Sequence, residues 1–315
     1  MYHRPVLAET AIDWLVTDIA GRYLDGTVGG GGHLVHLLER LGPAAAVLGL
    51  DRDKQAIEAA GDRVGRDRRV RLRQGLYGEL IHHAGQEEML PLDGILLDLG
   101  VSSKQLDDSN RGFTYRNDAP LDMRMDQHSG FAATELLATC SAEELEHIFR
   151  EGGEVRGAAR LARTIVEARR SKPLQSSAEL RGIVEQLIPP QRHTKVLSQI
   201  FQALRIEVND ELGQLDAGLN ASLDALRPEG RLVVIAYHSL EDRKVKQFFR
   251  HEASQCNCPP DFPVCICGGM PDLKILTGRA IQASQEEVAD NPRARSARLR
   301  AAERTVTGST RENPK

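Results

Sequence analysis

Asp25-Gly-Thr-Val-Gly-Gly-Gly-Gly-His33 is the stretch that decides the fold. Tyr23-Leu-Asp25 lies in a candidate strand just before the glycine run, and Leu34, Leu37, Leu38 and Leu41 share one face of a helix just after it. A strand, a glycine turn and a helix therefore follow one another. Glycine reaches backbone angles closed to other residues and lets a ligand lie against the main chain. The first turn of the helix offers N–H groups that have no partner inside the helix. The spacing is not a clean G-x-G-x-x-G, so the loop by itself is either a ligand cradle or a structural turn.

Working outward, four more short, mostly apolar runs read as strands: Ala45 to Leu50, ending at Asp51; Val70 to Arg73; Leu92 to Leu97, ending at Asp98; and Arg231 to Tyr237. Such runs suit strands buried on both faces of a parallel sheet. Helical spacing between the early ones, such as Ile57, Ala60 and Val64 after Asp51, predicts a doubly wound α/β sheet. The interval between the fourth and fifth strands is too long for one crossover and reads as successive helices, Ala142 to Phe149, Ala158 to Arg170 and Ala178 to Leu187. The expected organisation is a first sheet segment at 1–107, an inserted all-helical domain at 108–200, a second sheet segment at 201–255 and an irregular C-terminal segment at 256–315. One long helix from Ile200 to Leu226 is expected to lead back to the sheet, through a turn at Arg227-Pro-Glu-Gly230.

Asp51 stands some twenty residues past the glycines at the end of a strand, where a carboxylate can accept both hydrogen bonds of a ribose diol. An adenosine is common to nicotinamide dinucleotides and to S-adenosylmethionine, so glycine loop and Asp51 permit either. Asp98 ends the fourth strand at the same sheet edge, the edge at which parallel sheets bind ligands. The alternative for it is a helix cap or a structural ion pair.

Composition narrows the class. Hydrophobic residues make up 41% and charged residues 27%, as in soluble globular chains. No apolar run approaches the roughly 20 residues of a membrane-spanning helix, and the N-terminus shows no signal-peptide pattern, so a cytoplasmic protein is expected. The formal net charge of −4 argues against a surface that binds nucleic acid everywhere. Basic stretches are local, at Arg156 to Lys172 and Asn291 to Arg300, and such runs are either solvated faces or phosphate contacts. Of five cysteines, Cys256, Cys258, Cys265 and Cys267 crowd one stretch. In a reducing compartment four thiolates suggest a structural zinc before disulfides, although C-x-C is tighter than the usual zinc spacing.

Further motifs carry a resemblance. Leu97-Asp-Leu-Gly-Val-Ser-Ser103, Gln105-Leu-Asp107, Arg111-Gly-Phe113 and Asp118-Ala-Pro-Leu-Asp-Met-Arg-Met-Asp126 resemble the RsmH (MraW) family. So do His3-Arg-Pro-Val-Leu7, Phe201-Gln-Ala-Leu-Arg-Ile206 with Val208-Asn209, Tyr237-His-Ser-Leu-Glu-Asp-Arg243 and Asn291-Pro-Arg-Ala-Arg-Ser296. They run over nearly the whole chain in family order. The resemblance implies a Rossmann-like class I methyltransferase that moves a methyl group from S-adenosylmethionine to N4 of a decoding-centre cytidine in 16S ribosomal RNA. A large structured target and a modest basic surface point to the assembled small subunit as the substrate. Carried over motif by motif, it implies cofactor contacts at Gly31, Gly32, His33, Asp51, Tyr77, Asp98 and Gln105. Two places depart from the family: Lys195 to Ile200 replaces a frequent His-Pro-Ala-Thr, and Tyr237 stands where phenylalanine is usual.

An exocyclic amine whose lone pair is delocalised into the ring needs alignment, exclusion of water and an acceptor for its N–H. Asp98, with Ser102 and Ser103, is the expected acceptor group; the competing reading gives Asp98 to the cofactor alone. A target base must be unpaired or flipped out to reach the cofactor. Arg111, Arg116, Arg124, Arg243, Arg293, Arg295, Arg298 and Arg300 are candidates for RNA backbone contacts, His238 for an RNA contact or a proton acceptor, and Phe113 or Tyr115 for stacking. The rivals are a nicotinamide-dependent oxidoreductase, a methyltransferase for another substrate, and an RNA-binding protein without activity.

Overall fold

Four helix–strand alternations open the chain of the computed structural model, which describes residues 5–254 and 270–306. Helix α1 (Ala8–Leu15) precedes β1 (Arg22–Asp25), α2 (Gly32–Arg40), β2 (Ala46–Asp51), α3 (Lys54–Val64), β3 (Val70–Gln74), α4 (Leu80–Gln86) and β4 (Leu92–Asp98). Seven helices follow: α5 (Ser103–Asp107), α6 (Ala133–Thr139), α7 (Ala142–Glu151), α8 (Ala158–Ser171), α9 (Ser177–Leu187), α10 (His193–Val208) and α11 (Glu211–Ala225). The chain ends with β5 (Leu226–Ala236), α12 (Ser239–Glu252), β6 (Leu273–Ile275), α13 (Gln285–Asp290) and β7 (Arg298–Arg304).

The seven strands form one sheet in the order β3-β2-β1-β4-β5-β7-β6. β1 to β5 pair in parallel, and β7 runs antiparallel to β5 and β6. The expected Rossmann-like sheet is present. β4 is buried along its whole length up to Asp98, which is why its sequence reads as a continuous apolar run rather than an alternation. Leu24, Leu48, Ile95 and Leu97 fill the core on one side of the sheet; Tyr23, Val47, Leu96 and Val233 fill the other. Strand growth proceeds outward from β1 to β3, then returns to β4 on the other side of β1. The crevice beyond the carboxyl ends of β1 and β4 is therefore the topological switch point, where open α/β sheets bind ligands.

Two expectations change. The C-terminal segment is not irregular where it is described: it supplies β6, α13 and β7 to the sheet unit. In β7, Leu299, Ala301 and Ala302 are buried among arginines, so a core strand reads as a basic tail. The single long helix is two, α10 and α11, broken at Asn209-Asp210, with Asp210 at φ +47°. The Arg227-to-Gly230 turn persists as an irregularity within β5, where pairing with β4 jumps from Leu92↔Leu226 to Gly94↔Arg231.

Val101–Gly213 forms a compact unit of its own, distinct from the sheet. Its core joins Leu121, Met123, Phe149, Leu161, Leu180, Ile200 and Leu204. Its helices start on sequence signals: Ser141 Oγ accepts from Glu144 N at 3.2 Å while Glu144 Oε2 accepts from Ser141 N at 2.7 Å, a reciprocal cap that satisfies two otherwise unpaired amides.

Candidate active site

Three carboxylates end three adjacent strands of the sheet. Asp25 pairs in register with Gly49 of β2 and Leu96 of β4, so Asp51 and Asp98 each stand two residues beyond its neighbours. Asp25 is 1% exposed. Its Oδ1 accepts from Thr27 N at 3.1 Å, and its Oδ2 has no hydrogen-bond partner among the described residues. Burial raises its pKa to about 7; the Asp98 and Asp51 charges push the same way, opposed by His33 and the Thr27 amide. Asp51 Oδ2 accepts from Gly29 N at 2.9 Å and Oδ1 from Asp53 N at 2.8 Å. Burial lifts Asp51 to about 6 despite those two bonds. Asp98 is lifted to about 7 by burial, with Glu241 adding to the effect and a hydrogen bond from Tyr237 opposing it.

The glycine loop is tied to both neighbouring strands: Gly26 N donates to Leu96 O at 2.9 Å and Val28 N to Leu50 O at 2.8 Å. Gly31 caps α2 at φ +77°, where an added Cβ would also lie 3.3 Å from Ala60 Cα. Left-handed backbone and close approach of α3 together select glycine. No side chain caps α2, so its first amides, from Gly32 and His33 onward, remain available to an acceptor. His33 is buried and sits between Val6 and Asp98: its Nε2 is 3.0 Å from Val6 O and its Nδ1 is 3.5 Å from Asp98 Oδ2. Burial lowers its pKa. Tyr77 closes the other side of the loop. A Cβ on Gly26 would lie 3.0 Å from Tyr77 Cβ, and one on Gly218 would lie 2.5 Å from the Tyr77 ring.

Two participants were not singled out from sequence. Asp25 opens the quoted loop motif, and nothing in the sequence separates its carboxyl from an ordinary strand end. Tyr237 stands out in the sequence only as a departure from the phenylalanine usual there. Its hydroxyl donates to Asp98 Oδ1 at 2.8 Å, because Asp98 pairs with Ile235 and Tyr237 follows two residues later, just past the end of the adjoining strand β5.

The described atoms fit S-adenosylmethionine. The adenosine diol matches Asp51, whose oxygens keep lone pairs beyond the two amide bonds. An ammonium and a sulfonium match a rim of buried carboxylates with raised pKa values and an unpartnered Asp25 oxygen, while a carboxylate matches uncapped helix amides. A dinucleotide pyrophosphate would meet Asp25 and Asp98 beside those same amides, like charge against like.

The other candidates are engaged as follows. In the helical unit, Ser102 and Gln105 cap α5 reciprocally: Ser102 N donates to Gln105 Oε1 at 2.9 Å and Gln105 N to Ser102 Oγ at 3.3 Å. The Ser103 side chain lies outside the described residues. Arg111 is corrected from an RNA contact to a buried brace: it is 4% exposed and donates to the carbonyls of Arg124 at 3.1 Å and Met125 at 2.8 Å. Phe113 is a core residue of the unit, not a stacking platform, and Tyr115 packs edge-on against Phe201. Arg124 holds Asp122 through two hydrogen bonds, and Arg116 is exposed.

In the sheet unit, Arg300 is corrected likewise. Its Nε donates to Asp242 Oδ1 at 2.7 Å, its side chain is 11% exposed, and Arg298 reaches the other oxygen at 3.1 Å. Burial raises the Asp242 pKa, but the bonds from Arg300 and Arg298 outweigh it and hold the carboxyl below its ordinary value. His238 caps α12: its Nδ1 accepts from Glu241 N at 3.4 Å and its Nε2 lies 3.1 Å from Glu241 Oε1, a structural use. Arg243 and Arg295 are exposed and Arg293 is half-buried. Cys256, Cys258, Cys265 and Cys267 lie outside the described residues. No helix among the described residues is long and apolar enough to cross a membrane.

Comparison with known proteins adds an independent line. The family model described as the MraW methylase family matches residues 1–305. A ribosomal RNA small subunit methyltransferase H from Trichlorobacter lovleyi is 48% identical over 307 residues, covering 96% of this chain and 98% of the relative. The protein of the same name from Heliobacterium modesticaldum is 48% identical over 310 residues, with the same coverage.

Proposed function

Because the chain belongs to the MraW methylase family, we propose that it methylates N4 of a decoding-centre cytidine in 16S ribosomal RNA, using S-adenosylmethionine, on the assembled small subunit in the cytoplasm. The observation that carries the reading is the convergence of Asp25, Asp51 and Asp98 at the switch point beside the uncapped start of α2. Bound there, the cofactor supplies an electrophilic methyl carbon.

The protein's own part is placement and proton management. Asp51 holds the adenosine diol, and the α2 amides with Asp25 hold the amino-acid end. Asp98, at the end of β4, accepts an N–H of the target amine. That bond strengthens as the nitrogen turns pyramidal and gains positive charge, so it stabilises the transition state more than the ground state. A strong base is unnecessary, because the charged product nitrogen loses its proton readily. Exposed Arg116, Arg243 and Arg295 are suited to RNA phosphates.

The test is transfer of a labelled methyl group to small subunits from cells lacking this enzyme, followed by nucleotide mapping. Label in N4-methylcytidine at one decoding-centre position is the expected result. Label in another nucleotide, or in naked RNA and not in particles, overturns the target or the substrate form respectively.

A further inference from the structure

Asp98 is held at two points and faced at a third. Its backbone N–H donates to Thr27 Oγ1 at 2.6 Å, its Oδ1 accepts from the Tyr237 hydroxyl at 2.8 Å, and its Oδ2 lies 3.5 Å from His33 Nδ1. Tyr237 is itself placed rigidly. Its N–H donates to Glu241 Oε2 at 2.9 Å, and its ring lies beside Gly100, whose φ of +92° selects glycine at the turn after β4. A phenylalanine would fill the same volume. Only the hydroxyl distinguishes the two, and it is spent on Asp98.

We propose that Tyr237 is a positioning residue for Asp98: its hydroxyl occupies Oδ1 and so assigns Oδ2 the role of acceptor for the target amine, with His33 alongside. The inference rests on the proposed function, in which Asp98 receives that N–H.

The assignment follows from donor and acceptor inventory. Val6 O can only accept, so His33 Nε2 carries the ring proton, and neutral His33 turns a bare Nδ1 toward Oδ2. With Oδ1 engaged by Tyr237, a proton taken up by Asp98 goes to Oδ2, where Nδ1 can receive a hydrogen bond from it. An ionised Asp98 has Oδ2 free for the substrate, and the Tyr237 bond favours that ionised form. The other titratable groups facing this cluster are Asp25 on β1, Glu241 on α12 and Glu287 on α13. All are acidic and none supplies a donor to Oδ1 in place of Tyr237.

The experiment is a carbon-13 NMR titration of the Asp98 side-chain carboxyl in wild type and Tyr237→Phe, with the resonance assigned through Asp98→Asn. Binding of S-adenosylhomocysteine at alkaline pH is measured beside it. The expected result is a midpoint about one pH unit higher in Tyr237→Phe, an acid limb of the methylation rate displaced by the same amount, and unchanged S-adenosylhomocysteine affinity above the midpoint. An unmoved midpoint with S-adenosylhomocysteine binding intact overturns the positioning role and leaves the proposed function standing. Wild type that binds no S-adenosylhomocysteine overturns the proposed function instead. Tyr237 gives a second measurement that needs no phenylalanine variant. Its ionisation, followed by ultraviolet difference spectra, moves to lower pH in Asp98→Asn if the two groups are joined, and stays put if they are not.

Discussion

His33 and Asp98 face each other across the mouth of the crevice, Nδ1 to Oδ2 at 3.5 Å, while the far side of the imidazole is fixed on the Val6 carbonyl at 3.0 Å. Burial pushes the acid up to about 7 and the base below its ordinary 6.5, so a proton shared by the two resides on Asp98 rather than on His33. A cationic ligand at this place draws the carboxyl back toward its charged form. Binding of S-adenosylmethionine near pH 7 therefore releases protons, and calorimetry in buffers of different ionisation enthalpy reads the number.

The free protein carries the opposite imprint in its stability. Asp25 and Asp98 rise from 3.8 to about 7 and Asp51 to about 6, so between those values the folded state binds more protons than the unfolded one. Stability from these groups is greatest at and below pH 4 and falls as pH climbs through 6 and 7. His33, lowered from 6.5, works against this below pH 6.5, where the unfolded chain takes up a proton that the fold resists. Denaturant titrations from pH 5 to 8 should show a decline for the free protein that Asp25→Asn reduces. A decline of equal size in that variant contradicts the assignment.

Asn209 closes the helical unit. It is 2% exposed, accepts from Met125 N at 2.8 Å, and donates to Met123 O at 2.7 Å and Arg205 O at 2.9 Å. Asn209→Ala leaves buried main-chain groups unpaired and should cost about 2–4 kcal/mol. Hydrogen exchange should locate the loosening at Met123 to Met125 and the end of α10.

The Asp242 pair separates stability from RNA binding. Arg300→Ala leaves Asp242 buried beside only the more exposed Arg298 and should cost about 3 kcal/mol, with no change in the salt dependence of RNA binding. Arg298→Ala should cost under about 1 kcal/mol. Replacing exposed Arg295 should flatten the salt slope and leave the melting temperature in place; filter binding across a salt series and a thermal melt check the two.

What could be read from sequence follows burial. β1, β2 and β4 are enclosed on both faces, so their apolar runs and the terminal Asp51 and Asp98 stand out, as does the glycine turn at Gly31, whereas the carboxyl of Asp25 does not. β7 could not be read, because Arg298 and Arg300 alternate with small buried residues and look like a solvated tail. Arg111 and Phe113 look like surface groups in a loop. Only the folded helical unit shows the Arg124 and Met125 carbonyls that satisfy the guanidinium and the core that takes the ring. Tyr237 differs from phenylalanine by one oxygen, and its meaning depends on the register that sets Asp98 against Ile235.

The central claim is that the β1–β2–β4 carboxylate rim seats S-adenosylmethionine. Calorimetric titration with S-adenosylhomocysteine, run on wild type and Asp51→Asn beside a titration with NAD, tests it most directly. The account predicts saturable one-to-one binding to wild type, at least about tenfold weaker in Asp51→Asn for the loss of charge-assisted diol bonds, and no binding of NAD. Saturable binding of NAD with none of S-adenosylhomocysteine would contradict it.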